Sequence, residues 1–316
     1  MQNFEFIKLE KDMYKVGNLT DVLESIDSSE SYYGTSLQEL DAFSRQLKRY
    51  DIKVSGSNSD TVEKFFTNKD TAILFPEYVR RCVQMGIEEN NAVQDVIANT
   101  IDIDGLDYRS VCGEQKYKHN SLSEGELRSI LNVSTQDNLV PIHKYGKYLN
   151  TSYESLRFQR ISTLTVLLKR IGGYIAKCQY CDVVGVLSNC GYSVLNSYDN
   201  IVDDFAAWQN VGGGYKLTTI LCSPTAFDLL RDLLKDLIVF RDGNFCCGGA
   251  KIITSPNEPC RRIIGMDARY AVEMIKCDSI KLDYEKLIDR QFENVEIYTK
   301  AGFSILNPDA IVSVKW

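Results

Sequence analysis

The sequence predicts an α+β fold, and three patterns carry that reading. Apolar residues keep a helical interval from Leu156 through Ile161, Leu164, Leu168, Ile171 and Ile175 to Cys178, a span suited to one long rod. Between Tyr198 and Gly265 short helical and strand patterns alternate, as in a compact α/β unit. From Val295 to Ile305 apolar and polar residues alternate, the two-residue period of a half-buried strand.

Length and composition bound the rest. A chain of 316 residues exceeds one minimal core, so two domains, or one domain with large extensions, are expected. Hydrophobic residues make up 44% and charged residues 25%, an ordinary folded composition that leaves disorder to short stretches at most. With 43 Asp and Glu against 36 Lys and Arg the formal charge is -7, which argues against a protein that grips nucleic acid through a basic face. No run of about 18 apolar residues occurs. The start, Met1, Gln2, Asn3, Phe4, Glu5, lacks a basic-then-apolar signal, so a cytoplasmic protein with no membrane partner is expected. The 10 cysteines are scattered in a large chain and read as reduced, mostly buried small apolar residues.

Taken in order, residues 1–72 carry two short helical patterns. One runs from Leu37 to Arg49 with Leu40, Phe43 and Leu47 on one face, the other from Thr61 to Thr67, and Ser55, Gly56, Ser57 and Asn58 separate them. This region reads as an arm that packs on something larger. Pro76 is expected to open a helix through Tyr78, Val79, Cys82, Val83 and Met85, since proline is tolerated in the first turn. A β-like run follows at Ile101, Ile103 and Leu106, broken by Gly105. From Arg109 to Asn138 the chain turns polar with little periodicity, the mark of a functional or extended excursion.

Thr151, Ser152, Tyr153 and Glu154 spell a capping box, so the long helix is expected to begin here and reach Val184, a rod of roughly 50 Å. Gly172 and Gly173 weaken it and mark a bend or a close contact. Beyond Gly185 come a helix over Tyr198–Gln209, the turn Gly212, Gly213, Gly214, and a strand over Lys216–Cys222. Ser223 and Pro224 then cap a helix running through Leu237. Strands are expected at Lys251–Thr254 and Arg262–Gly265. A last strand, Ala310–Val314, is expected to pair with the early strand near Ile101 and with the strand entering the long helix.

Candidate chemistry is sparse. Cys178 and Cys181 have the spacing of half a zinc site or a redox pair, but they lie near the C-terminal end of the helical pattern, where a thiolate is not favoured. Cys246 and Cys247, being adjacent, cannot easily supply the other two ligands. His119 and His143 are the only histidines, which starves most metal and general-base constellations. Gly212–Gly214 lacks the Lys-Ser/Thr ending of a phosphate loop, and Asp203-Asp204 and Asp283 with Glu285 read as solvated carboxylates. No catalytic, cofactor or metal site is assigned, and a thiol or metal enzyme built on Cys178 and Cys181 stands as the rival reading.

Several segments and their order carry a resemblance. They are Leu40–Phe43 with Gln46–Arg49, Val62–Phe66, Leu74–Arg81, Ser152–Glu154 with Leu156–Phe158, and Leu282–Gln291. Together they resemble the major capsid protein family of tailed bacteriophages, whose coat fold is shared with encapsulins. The resemblance covers nearly the whole chain. It implies an N-terminal arm over 1–72, a first part of the P-domain over 73–103 and an E-loop with a β-ribbon over 104–149. It further implies a spine helix of the P-domain over 150–194, an A-domain over 195–265 and P-domain return strands over 266–316. It also implies a subunit that self-assembles into pentamers and hexamers of an icosahedral shell, enclosing DNA without sequence-specific binding, in a virion assembled in the host cytoplasm. Scaffolding, if used, would come from a separate protein, because Met1 leads straight into the arm, and portal and decoration proteins would be further separate partners. Some members crosslink a lysine to an asparagine, and Lys116, Lys118 and Lys144 lie near the loop, but nothing identifies such a pair. An encapsulin-like compartment shell is the alternative use of the fold.

Overall fold

The computed structural model describes residues 9, 18–114, 132–188, 193–195, 201, 203, 205, 206, 208, 214–235, 237–241, 243–254, 262–277, 279–287 and 292–315. The chain forms two compact units, one from residues 1–90, 146–175 and 280–298, the other from 91–145, 176–279 and 299–316.

The first unit is mainly helical. Helix α1 (Leu19–Ile26) buries Leu19 and Leu23. Helix α2 (Ala42–Arg49) buries Ala42, Phe43 and Leu47. The helix expected from Leu37 begins only at Ala42, because the Asp41 side chain accepts from Ser44 N–H and fixes the start there, while Leu37 buries itself from a turn. Residues Val62–Phe66 form a single 3₁₀ turn that buries Val62 and Phe65. Helix α3 (Lys69–Glu89) contains Pro76 in its interior and so corrects the expected start. Asn68 caps it, with its N–H donating to Thr71 Oγ1, and the apolar face of Ile73, Leu74, Phe75, Tyr78, Val79, Cys82 and Val83 outweighs the one backbone bond that proline cannot make.

The long helix also begins later than its capping signal. Ser152 caps only a short helix, α4 (Tyr153–Arg157), accepting from Ser155 N–H, while the Thr151 hydroxyl donates to Ser152 O. The backbone then straightens: Val62 N–H bonds Gln159 O, Ile161 N–H bonds Asp60 O, and the Arg160 guanidinium donates to the carbonyls of Ser57 and Ser59. Helix α5 (Ile161–Ser188) starts after this bridge and runs 28 residues, about 42 Å.

Helices α3 and α5 approach closely. A Cβ on Gly86 would lie 2.1 Å from the Lys169 carbonyl oxygen, and one on Gly172 would lie 2.1 Å from that of Val83. Gly172 thus marks a close contact, one of the two readings its sequence position allowed. Tyr78 and Thr165 share a hydroxyl hydrogen bond across the crossing, and Lys169 pairs with Glu89. Beside it, the fully buried Arg45 ties α2 to the preceding loop. Its guanidinium reaches the Asp27 carboxylate, Ser29 Oγ at 3.0 Å and the carbonyls of Leu40 and Asp27, and it stacks over the Tyr32 ring. Glu77 accepts from Thr20, Arg80 and Arg81, and Arg81 also pairs with Asp41.

The second unit is built on sheets. Strand β1 (Ile97–Asp102) runs parallel to β11 (Val272–Lys276), which pairs antiparallel with the C-terminal part of β13 (Phe292–Ile305). The N-terminal part of β13 belongs to the first unit, in a hairpin with β12 (Lys281–Leu287). The alternation expected from Val295 is realised as far as Ala301, with Val295, Ile297, Thr299 and Ala301 buried, and gives way beyond it to a run, Ala301 to Ser304, that is buried throughout. Strand β4 (Ile142–Ser152), which leads into α4, also pairs with β13.

A seven-stranded sheet has the order β5-β14-β10-β6-β9-β8-β7. Its strands are β5 (Ser193–Leu195), β6 (Thr219–Cys222), β7 (Ile238–Arg241), β8 (Asn244–Cys247), β9 (Ala250–Thr254), β10 (Arg262–Met266) and β14 (Ile311–Lys315). Helix α6 (Pro224–Leu233), capped by Ser223, packs with helical Ile201, Phe205 and Trp208 over a core that includes Ile220, Cys222, Leu230, Ile252, Ile263 and Val312. It ends before the expected Leu237, because the chain turns at Leu234 to enter β7. The last strand pairs with β10 and β5, not with β1 or β4 as the sequence suggested. Residues 310–314 are all buried, so both faces of that strand need covering and it sits inside a sheet.

Two predictions follow from the first unit. Gly86→Ala or Gly172→Ala drives a methyl into backbone, so each costs about 1 to 3 kcal/mol in denaturant unfolding. As a control in the part of α5 that belongs to the second unit, Gly185→Ala, at an open position, is neutral or stabilising by up to about 1 kcal/mol. Burial alone would raise the carboxyl pKa values of Glu24, Asp27, Asp41 and Glu77, but hydrogen bonds and arginine charges outweigh it and hold all four below their ordinary values. Their stabilisation is therefore complete above the unfolded values of 3.8 for Asp and 4.5 for Glu and is lost as pH falls through the depressed folded ones. Urea midpoints should be level from about pH 5 to 7 and drop below about pH 4.

Candidate functional site

The sequence's chemical candidates do not converge. Cys178 and Cys181 lie half-buried on α5, and among the described residues no three His, Cys, Asp or Glu side chains come together as metal ligands. Asp182, one turn beyond Cys178, faces β4. Its Oδ2 accepts from the Tyr145 hydroxyl at 2.7 Å and lies 2.6 Å from His143 Nδ1. Burial, reinforced by Asp182, pushes the Tyr145 phenol far above its ordinary range, so it remains a donor. This trio fastens a strand to a helix.

Cys246 and Cys247 sit on successive positions of β8 and so point to opposite faces, which cannot chelate one ion. Of the cysteines whose side chains are described, Cys82, Cys222 and Cys277 are buried and Cys178, Cys181, Cys246 and Cys247 are half-exposed. Asp203, Asp283 and Glu285 are exposed, as solvated carboxylates should be, and so is Lys144. Gly214 has φ +94, a turn conformation that glycine accepts. His119, Lys116, Lys118, Asp204, Gly212 and Gly213 lie outside the described residues. Among those described, no helix is long and apolar enough to cross a membrane.

What the structure does build is the root of the polar excursion. Strands β2 (Val111–Glu114) and β3 (Asn132–Thr135) form a two-stranded antiparallel ribbon separate from both sheets, and residues 115–131 lie outside the described residues. Its legs are zipped together below the ribbon by Gln136 N–H to Ser110 O at 2.7 Å and Val140 N–H to Tyr108 O at 2.9 Å. They are then fixed to the sheet. The buried Ser110 hydroxyl donates to the buried Glu273 carboxylate of β11, and Gln136 Nε2 donates to Ile305 O at 2.9 Å. The Tyr108 phenol is raised by burial and then by Glu273, so it too stays a donor at the root. The leg also lies directly on β13, since a Cβ on Gly302 would be 2.7 Å from Pro141 O.

Above this anchored root, Val111, Ser134 and Thr135 are exposed, as is Leu139 in the leg itself. Sequence reading missed Glu273, Ser110, Tyr145 and Asp182. The one available signal was a charge inside the apolar run Val272–Ile275.

No protein-family model matches the chain, and no curated protein matches it by sequence. Its fold is similar to that of several solved structures. One is the virus-like particle from Pyrococcus furiosus, with TM-score 0.56 and 15% identity over 76% of this chain and 98% of that one. A second is the capsid of the native GTA particle, with TM-score 0.52 and 12% identity over 71% of this chain and 90% of that one. A third is the holo-SrpI encapsulin complex from Synechococcus elongatus, with TM-score 0.50 and 11% identity over 69% and 84%. At such identities the fold is what is shared. The chain has the coat fold common to phage capsids and encapsulins, as its segment order implied.

The root yields a direct prediction. Glu273→Ala leaves the buried Ser110 hydroxyl without its acceptor, at about 1 to 3 kcal/mol. Proteolysis of the unassembled chain between residues 106 and 141 should then quicken several-fold, while Asp283→Ala, exposed on β12, leaves the cleavage rate unchanged.

Proposed function

We propose that the chain is a capsid-type shell subunit, the major capsid protein of a tailed bacteriophage, whose copies assemble into an icosahedral shell around DNA. The observation that carries this reading is the extent of the fold similarity, which reaches 98% of the length of the virus-like particle chain. The anchored ribbon supports it. A two-stranded ribbon set apart from the sheets gains contact area when a neighbouring subunit supplies the surface.

In this reading residues 1–72 act as an arm, 104–149 as the E-loop and 195–265 as the A-domain. Residues 73–103, 150–194 and 266–316 make up the P-domain. Homo-oligomeric pentamers and hexamers are the functional partners, with scaffolding, portal and decoration proteins as separate chains, and the virion is the site of action. A charge of -7 suits a wall that encloses DNA without gripping it. The activity is assembly, with no reaction to catalyse. The second reading, a compartment shell of the encapsulin kind, is favoured by the similarity to the encapsulin complex. The material inside native particles separates the two, DNA for a capsid and a cargo protein for a compartment.

Purified protein should form capsomers, shells, sheets or tubes, seen by sedimentation and by negative-stain microscopy. A monomer that persists at high concentration would count against both readings.

A further inference from the structure

We draw no further inference here: the strongest candidate, the surface patch along the first-unit part of α5 where Val166, Leu167 and Tyr174 are exposed, is an apolar helix face, and nothing in the structure shows what covers it.

Discussion

The approach of helices α3 and α5 is set by what is missing from two residues. Gly86 and Gly172 carry no side chain, and only on that condition can α3 and α5 bring backbone against backbone, with a Cβ at either site 2.1 Å from a carbonyl oxygen of the other helix. Around this crossing the first unit arranges its polar groups, Tyr78 with Thr165 and Lys169 with Glu89. The same helix α5 then supplies Ala176, Tyr180, Val183, Val184 and Leu187 to the interior of the second unit.

The second unit applies a related device to the excursion. A ribbon of four residues a side cannot hold its own position, so its legs are set by buried groups on the sheet: Ser110 on Glu273, Gln136 on Ile305, and Pro141 over the bare face of Gly302. Asp182 adds a fastening on the helix side, through Tyr145 and His143. These groups hold protons or accept hydrogen bonds without any reacting atom near them. Their effect is to aim an exposed element, which is what a subunit that binds its neighbours needs from its interior.

Features with a local physical cause were legible in the sequence. The alternation from Val295 to Ala301, the Ser223-Pro224 cap and the 3.6-residue period of the long helix each follow from a short window, and each is present. Features decided by distant partners were not. The long helix starts at Ile161 because the bonds from Val62 N–H to Gln159 O and from Ile161 N–H to Asp60 O bridge Arg160 to Thr61 just before it. β11 escaped notice because all of Val272–Ile275 is buried, which erases the alternation that marks a strand. Glu273 looked like an ordinary charge, since Ser110, its partner, lies 163 residues away in sequence. The fold was nonetheless readable from the order of its segments, an order that individual boundary errors left intact.

The central claim is that this chain is a wall component whose anchored ribbon reaches onto a neighbour. A high-resolution reconstruction of particles formed by the purified protein tests it most directly. The account predicts a closed shell in which the ribbon of residues 111–114 and 132–135 lies on an adjacent subunit while Ser110 and Glu273 keep their contact beneath it. Particles in which the ribbon folds back onto its own chain, away from every neighbour, would contradict it.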